Sequence, residues 1–181
     1  MATTLSDIED MIGRIAEHDR DAFLSLYDAT SAKLFGVCLR VLRDKADAED
    51  VLQEVYVKVW KNSDRYRANG LSPMTWLITI ARNTSIDRLR TRKDAGEGTE
   101  ALERLSEPGP GPEASAIAAS DAQAIARCMG ELDDDRAAAV RGAYLEGQSY
   151  QDLADRFDVP LNTMRTWLRR SLLKLKECMS A

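Results

Sequence analysis

The stretch Gly147–Lys176, GQSYQDLADRFDVPLNTMRTWLRRSLLKLK, predicts two short helices separated by a tight bend. Ser149 is placed to cap the first helix, with Asp152 three residues later to complete a capping box. The segment Asp158–Pro160 favours the bend, because the residue before a proline is pushed out of the α region and proline suits the first turn of the next helix. Together these features predict a helix-turn-helix, whose second, basic helix fits the major groove of DNA.

Composition limits the class of protein. The chain has 181 residues, of which 44% are hydrophobic, enough for one mid-sized core or two small ones. We find neither an apolar run of about eighteen residues nor a secretory signal. Cys38, Cys128 and Cys178 are widely spaced and odd in number, so we expect reduced, buried thiols in a cytoplasmic protein, with no disulfide and no zinc. One histidine and no convergent nucleophile predict no metal, no cofactor and no enzyme.

Charge is distributed unevenly along the chain, whose net charge is −5. Residues 1–92 carry 14 basic and 14 acidic side chains, residues 93–136 carry 4 and 11, and residues 137–181 carry 7 and 5. The segment Asp94–Pro112 holds three of the five prolines and four of the ten glycines, so it cannot bury enough surface to offset its ordering entropy. We therefore predict two domains, 1–92 and 113–181, joined by a flexible acidic linker at 93–112. Recurrent helical spacing, without period-2 alternation, predicts an all-α protein.

The segment ADAEDVLQEVYVKVW predicts an amphipathic helix. Its apolar residues recur at steps of three and four: Ala48, Val51, Leu52, Val55, Tyr56 and Val59. The opposite face carries Asp47, Asp50, Gln53, Glu54 and Lys58. Such a face is either an ordinary solvated surface or a docking surface for a basic helix, and the spacing alone does not decide between them.

A further helix is predicted in SPMTWLITIARNTSIDRLRTRK, with Ser72 as its cap and Pro73 at its first position. Its second half is basic, with Arg82, Arg88, Arg90, Arg92 and Lys93. Together with the nearby aromatic Tyr66 and Trp76, these residues are suited to holding phosphates and stacking on exposed bases. The alternative is that the arginines only complement the helix dipole.

Three motifs in this order, DAEDVLQEVYVKVW, SPMTWLITIARN and SYQDLADRFDVPLNTMRTWLRRS, resemble the bacterial extracytoplasmic-function sigma factors of RNA polymerase. The resemblance covers nearly the whole chain outside the linker. It implies a sigma region 2 helical bundle in residues 1–92 and a region 4 helix-turn-helix in residues 113–181. The implied function is that of an alternative sigma factor, which directs core polymerase to −35/−10 promoters of a stress regulon and is held inactive by an anti-sigma factor.

For region 2, the resemblance implies two sets of site residues. The clamp helices of the polymerase β′ subunit would be bound by Asp47, Asp50, Gln53 and Glu54. The −10 element would be bound by Tyr66, Trp76, Arg82, Asn83, Arg88 and Arg90. Within that set Asn83 would read a flipped base beside a specificity loop at about residues 64–72, while the arginines hold the adjacent backbone.

For region 4, the resemblance implies that the second helix of the motif enters the major groove at the −35 element. The implied contacts are Asn162, Thr163, Arg165, Thr166, Arg169 and Arg170. An arginine there either bonds both acceptors of a guanine edge or contacts phosphate alone, and the sequence does not separate the two. The β flap is the implied polymerase partner of region 4. The free factor is expected to be a monomer without membrane contact.

Three positions depart from the family pattern. Trp167 stands where arginine is common, and Leu172 and Leu173 replace residues that are usually basic. These side chains either enlarge the core or form a face that an anti-sigma factor grips.

Two other function classes remain open at the level of sequence. A dimeric repressor would use the helix-turn-helix but would not need the acidic helix or the WLxxIAxN segment. A sigma-like mimic that binds another regulator would lack the basic recognition residues.

Overall fold

A computed structural model describes residues 2–68, 70–94, 112–146 and 148–181, without the side chains of residues 112–118. The chain divides into two compact units, Met1–Leu105 and Ser106–Ala181. All regular elements in the described ranges are helical, so the all-α prediction is confirmed. Most of the predicted linker, residues 95–111, lies outside the described residues.

Within its described residues, the first unit contains four helices and one short 3₁₀ turn. They are α1 (Leu5–Ala16), α2 (Arg20–Leu42), α3 (Lys45–Asn62), the 3₁₀ turn Ser63–Arg65, and α4 (Pro73–Asp94). Thr4 and Asp7 form a capping box at the start of α1, and Asp19 caps α2. The corner between α2 and α3 is made by Arg43 in the left-handed conformation, φ 55°, followed by Asp44 as the cap of α3.

The core of the first unit contains the apolar stripe of α3. All six stripe residues predicted from the sequence are buried, and they pack with buried side chains of α1, α2 and α4. One polar contact lies within this packing: the hydroxyls of Thr30 on α2 and Tyr56 on α3 are 2.6 Å apart. The Thr30 hydroxyl also donates to the carbonyl of Leu26. Burial raises the pKa of Tyr56 to about 12.

The second unit contains α5 (Pro112–Met129), α6 (Asp134–Tyr144), α7 (Tyr150–Arg156) and α8 (Leu161–Ser180). Helices α7 and α8 form the predicted helix-turn-helix, and the capping box of Ser149 with Asp152 is present at the start of α7. The bend depends on Asp158, which adopts the left-handed conformation with φ 52°. Pro160 is the cap residue that immediately precedes Leu161, the first residue of α8.

The prediction of three reduced thiols is wrong for two of them. Cys128 in the last turn of α5 and Cys178 in the last turn of α8 form a disulfide, with their Cα atoms 5.8 Å apart. This pair could not be predicted from the sequence, because the two cysteines are 50 residues apart and only the packing of α8 against α5 brings them together. Cys38 remains a free, fully buried thiol, and burial raises its pKa.

Candidate functional surfaces of the two units

The outer face of α3 carries three of the four residues predicted to bind polymerase. Asp50, Gln53 and Glu54 are exposed, and the side chain of Asp50 is 65% exposed. Steps of three and four residues place them on one side of the helix. Val57 lies on the same side and is 51% exposed, although the sequence reasoning did not select it. Its position seven residues after Asp50, about two helical turns, could have placed it on this face from the sequence. An exposed apolar side chain within a polar face gains free energy when a partner covers it.

Asp47 has a different environment from the other three. Its carboxylate lies 3.0 Å from Arg92 Nη1 and accepts a hydrogen bond from Arg88 Nη2 at 3.2 Å, and its side chain is 21% exposed. Arg92 also donates to the carbonyl of Leu42 at the end of α2. Asp47 therefore helps to hold the start of α3 against the end of α4.

Arg88 connects the two sets of residues that were predicted for region 2. Its guanidinium lies 3.2 Å from Asp47 and 3.6 Å from Asp50. A side chain predicted to hold the promoter backbone is thus paired with two carboxylates predicted to bind polymerase. Arg90, two residues further along α4, is exposed.

The two aromatic residues predicted near the −10 element contact each other. The rings of Tyr66 and Trp76 meet edge to face with centroids 5.4 Å apart, and both side chains are half-buried. The Tyr66 hydroxyl donates to Glu9 Oε1 of α1 at 3.0 Å, and partial burial raises the pKa of Tyr66. Helix α1 thereby helps to fix the start of the loop that leads into α4.

Arg82 and Asn83 lie side by side on α4 but differ in exposure. Arg82 is only 2% exposed, whereas Asn83 is exposed. The Arg82 guanidinium donates to Asn83 Oδ1 at 2.8 Å. The burial of Arg82 leaves it no surface on which to hold a phosphate in this conformation, so the structure places it behind Asn83.

Helix α8 presents the residues that were predicted for the −35 element. Five of the six are exposed, namely Asn162, Arg165, Thr166, Arg169 and Arg170, and Thr163 is half-buried. Arg165 donates to Asn162 Oδ1 at 3.4 Å, and the Thr166 hydroxyl donates to the Asn162 carbonyl at 3.0 Å. The outer side of α8 is therefore a basic, hydrogen-bonding surface of the kind that reads or holds duplex DNA.

The apolar residues of α8 that depart from the family pattern are half-buried. Trp167 packs against the core of its unit, with the Phe157 ring 6.1 Å from its own ring and the Arg136 guanidinium 5.2 Å from its centroid. Leu172 and Leu173 are also half-buried. Trp167 thus serves packing in part, which is one of the two alternatives that the sequence left open for it.

Family comparisons match both units. Sigma-70 region 2 matches residues 26–95, and Sigma-70, region 4 matches residues 122–175. The chain is 32% identical to the ECF RNA polymerase sigma factor SigK of Mycobacterium sp. (strain KMS) over 176 residues, covering 96% of this chain and 91% of that protein. It is 30% identical to SigK of Mycobacterium tuberculosis (strain H37Rv), covering 96% and 94%. The chain belongs to the extracytoplasmic-function sigma factors.

Two solved structures of low similarity complete the comparison. CnrH in complex with the cytosolic domain of CnrY is 17% identical, with a TM-score of 0.42 and coverage of 96% and 97%. The sigma factor RpoE of Bartonella quintana, in complex with the anti-sigma factor NepR, is 22% identical, with a TM-score of 0.41 and coverage of 88% and 97%.

As a sigma factor, the protein acts in transcription initiation by binding core RNA polymerase and promoter DNA. Sigma factors are transcription regulators rather than enzymes. Across the parts of the chain that the structure describes, no helix is long and apolar enough to cross a membrane. In the same ranges, no cluster of three or more His, Cys, Asp or Glu side chains is arranged to hold a metal ion.

Proposed function

We propose that region 2 and region 4 divide the work of promoter recognition, with α3 on polymerase, α4 on the −10 element and α8 on the −35 element. The observation that carries this proposal is the exposure of opposite charges on different helices. Asp50 and Glu54 are exposed on α3, while Arg165 and Arg170 are exposed on α8. An acidic face favours a basic protein helix, and a basic face favours phosphate.

On polymerase, α3 binds the clamp helices of β′ through Asp50, Gln53, Glu54 and Val57. The exposed carboxylates supply charge complementarity, and Val57 supplies apolar area at one end of the same face. Asp47 supports this face through its contacts with α4. Region 4 contacts the β flap. The two domains are 1–92 and 113–181, with the acidic segment at 93–112 as the connection between them.

On promoter DNA, Asn83 reads a flipped base of the −10 element, with Tyr66 and Trp76 beside it, while Arg88 and Arg90 hold the backbone. Extruding the base costs a few kcal/mol of stacking, which contacts in the pocket must recover. Arg165, Thr166, Arg169 and Arg170 contact the −35 duplex, with Asn162 and Thr163 at the start of α8. An arginine that reads a guanine edge contributes about 1–3 kcal/mol of discrimination.

The free factor is a cytoplasmic monomer that an anti-sigma factor holds inactive until a stress signal releases it. The resemblance to the family supports this part of the proposal. The exposed portions of Trp167, Leu172 and Leu173 offer apolar area for such an inhibitor on region 4.

Run-off transcription with core RNA polymerase and a genomic promoter library tests the proposal. We expect the chain to give promoter-specific transcripts. An Asp50→Lys, Glu54→Lys variant should lower core affinity at least about tenfold, because charge reversal sets basic side chains against a basic helix. Asp10→Lys, which changes an exposed carboxylate on α1, is the matched control and should leave affinity unchanged.

The same assay separates the remaining parts of the proposal. When the anti-sigma factor is added, a Leu172→Arg, Leu173→Arg variant should remain active. Full inhibition of that variant would show that the anti-sigma factor does not need this surface of α8. If the unaltered chain gives no promoter-specific transcript from any member of the library, the division of promoter recognition described above is wrong.

A further inference from the structure

Arg82 is an arginine in a position where an apolar side chain is normally found. It is the largest of the fully buried side chains in the described part of the protein, and Ala81 and Ser85 beside it on α4 are also fully buried. Moving a guanidinium out of water is costly unless its donors are satisfied. A side chain that bears this cost is expected to do something that leucine or methionine at the same position would not do.

The contact between Arg82 and Asn83 fixes the orientation of an exposed amide. Arg82 Nη1 donates to Asn83 Oδ1 over 2.8 Å. A guanidinium carries only donors, so the oxygen of the amide, and not its nitrogen, must face Arg82. The two ends of the Asn83 side chain are therefore distinguished by chemistry. Its Nδ2 group points away from the guanidinium, on a side chain that is exposed to solvent.

We propose that Arg82 is a positioning residue, which locks the Asn83 amide so that Nδ2 donates to a hydrogen-bond acceptor of the flipped −10 base. This inference rests on the proposed role of Asn83 in reading that base. An asparagine that rotates freely about its last bond presents either its donors or its acceptor, and therefore tolerates bases with opposite edges. With one orientation held, only a base whose ring nitrogen or carbonyl oxygen meets Nδ2 is bound well.

The burial of Arg82 makes this arrangement effective. A guanidinium at the surface would exchange between Asn83, water and phosphate, whereas a buried one keeps its partner. Groups held in place before the ligand arrives lose less entropy on binding, which is the advantage of a preorganised site. Arg82 therefore acts on base choice without touching the DNA.

The main test measures base discrimination by holoenzyme reconstituted from core polymerase and the full chain. Promoter fragments obtained from the run-off assay carry each of the four bases in turn at every −10 position. We expect Arg82→Met to reduce the ratio between the best and the worst base at one position by about tenfold, within the range measured for single base contacts. Affinity for core polymerase should be unchanged, because Arg82 is buried in α4 and is not part of the exposed face of α3 that is proposed to bind polymerase.

Two comparisons distinguish positioning from a general structural role. Arg90→Met, at an exposed arginine of the same helix, should lower affinity for all four bases by the same factor. The double variant Arg82→Met, Asn83→Ala should discriminate no worse than Asn83→Ala alone, because Arg82 acts only through Asn83. Losses that add, or full discrimination by a folded Arg82→Met chain, overturn the proposal.

Further measurements guard against misfolding and against failure of the proposed function. If Arg82→Met does not fold, Arg82→Lys keeps the charge and most of the stem but removes the planar fork, and the same loss is expected. In the free, nitrogen-15-labelled chain, the Asn83 amide resonances should shift on substitution of Arg82, and no shift overturns the positioning contact. A different result would overturn the proposed role of Asn83 instead: the Asn83 resonances shift, but holoenzyme containing the unaltered chain binds all four bases equally at every −10 position.

Discussion

Region 2 and region 4 reach a stable fold by different means. Region 2 buries side chains from four helices in one core and adds polar contacts between helices, such as Thr30 with Tyr56 and Asp47 with Arg92. Region 4 has a smaller buried cluster, and its first and last helices are joined by the Cys128–Cys178 disulfide. Small domains bury a smaller share of their surface, so a covalent link contributes relatively more to their stability.

The two regions also differ in how their candidate binding residues relate to the core. In region 2, Arg82, Arg88 and Asp47 take part in contacts that hold helices or neighbouring side chains. In region 4, the polar residues of α8 extend from one exposed side of a helix whose opposite side holds Met164 and Leu168 in the core. Substitutions at candidate sites are therefore expected to disturb folding in region 2 more than in region 4.

Breaking the disulfide is expected to have the largest effect. A Cys178→Ser variant, or reduction of the unaltered chain, should lower the free energy of unfolding of region 4 by about 4 kcal/mol, because a link spanning 50 residues restricts the unfolded chain. Region 2 should be unaffected. Denaturant unfolding followed by tryptophan fluorescence resolves the two regions in single-tryptophan variants that keep Trp60 or Trp167. Equal shifts in both regions, or none, would contradict the difference drawn between them.

The buried hydroxyl pair of region 2 is expected to have an intermediate effect. Thr30→Val should destabilise region 2 by about 1–3 kcal/mol, because the Tyr56 hydroxyl then loses its partner inside the core. Thr30→Val combined with Tyr56→Phe should recover much of the loss. Chemical denaturation of both single variants and the double variant measures this coupling, and a loss in the double variant equal to the sum of the two single losses would show that the pair does not interact.

The same pair predicts a pH dependence. Tyr56 has its pKa raised to about 12 in the folded protein, from an ordinary value of 10.0, so the folded state retains a proton that the unfolded state releases. The stability contributed by this proton is complete below pH 10 and is lost as the pH rises from 10 towards 12. Tyr56→Phe should remove this dependence.

The smallest expected effects are on stability, when one candidate binding residue is substituted in each region. Asp47→Ala should destabilise region 2 by about 1 kcal/mol, because Arg88 and Arg92 lose a partly buried partner. Arg165→Ala should leave the stability of region 4 within about 0.5 kcal/mol, since its side chain is exposed. Thermal unfolding monitored separately for each region provides the comparison. A larger loss of stability for Arg165→Ala than for Asp47→Ala would contradict the expected difference between the two regions.

Local patterns predicted much of the fold and most of the candidate surfaces. The stripe of α3 is buried at all six predicted positions because helical periodicity alone decides which residues share a face. Ser149 and Asp152 form the predicted capping box because its two partners lie within one turn. The exposed residues of α8 could be selected in the same way, from their spacing and charge.

Contacts between distant residues could not be predicted in this way. The disulfide joins the ends of two helices that no spacing rule connects. Asp47 belongs by spacing with Asp50 on the acidic face, yet Arg88 and Arg92 of another helix partly cover it. Asp158 lies in the predicted bend, but the sequence pattern did not predict its left-handed conformation.

The sequence by itself determined the helices, their buried faces and the family, because these depend on interactions within a few residues or on the order of motifs along the chain. The tertiary structure alone decided which polar side chains are exposed and which support a neighbour. Arg82 is the clearest example, since its charge predicted a surface contact with DNA and its packing places it behind Asn83. The physical reason is that charge is a property of one residue, whereas burial is a property of all the helices that surround it.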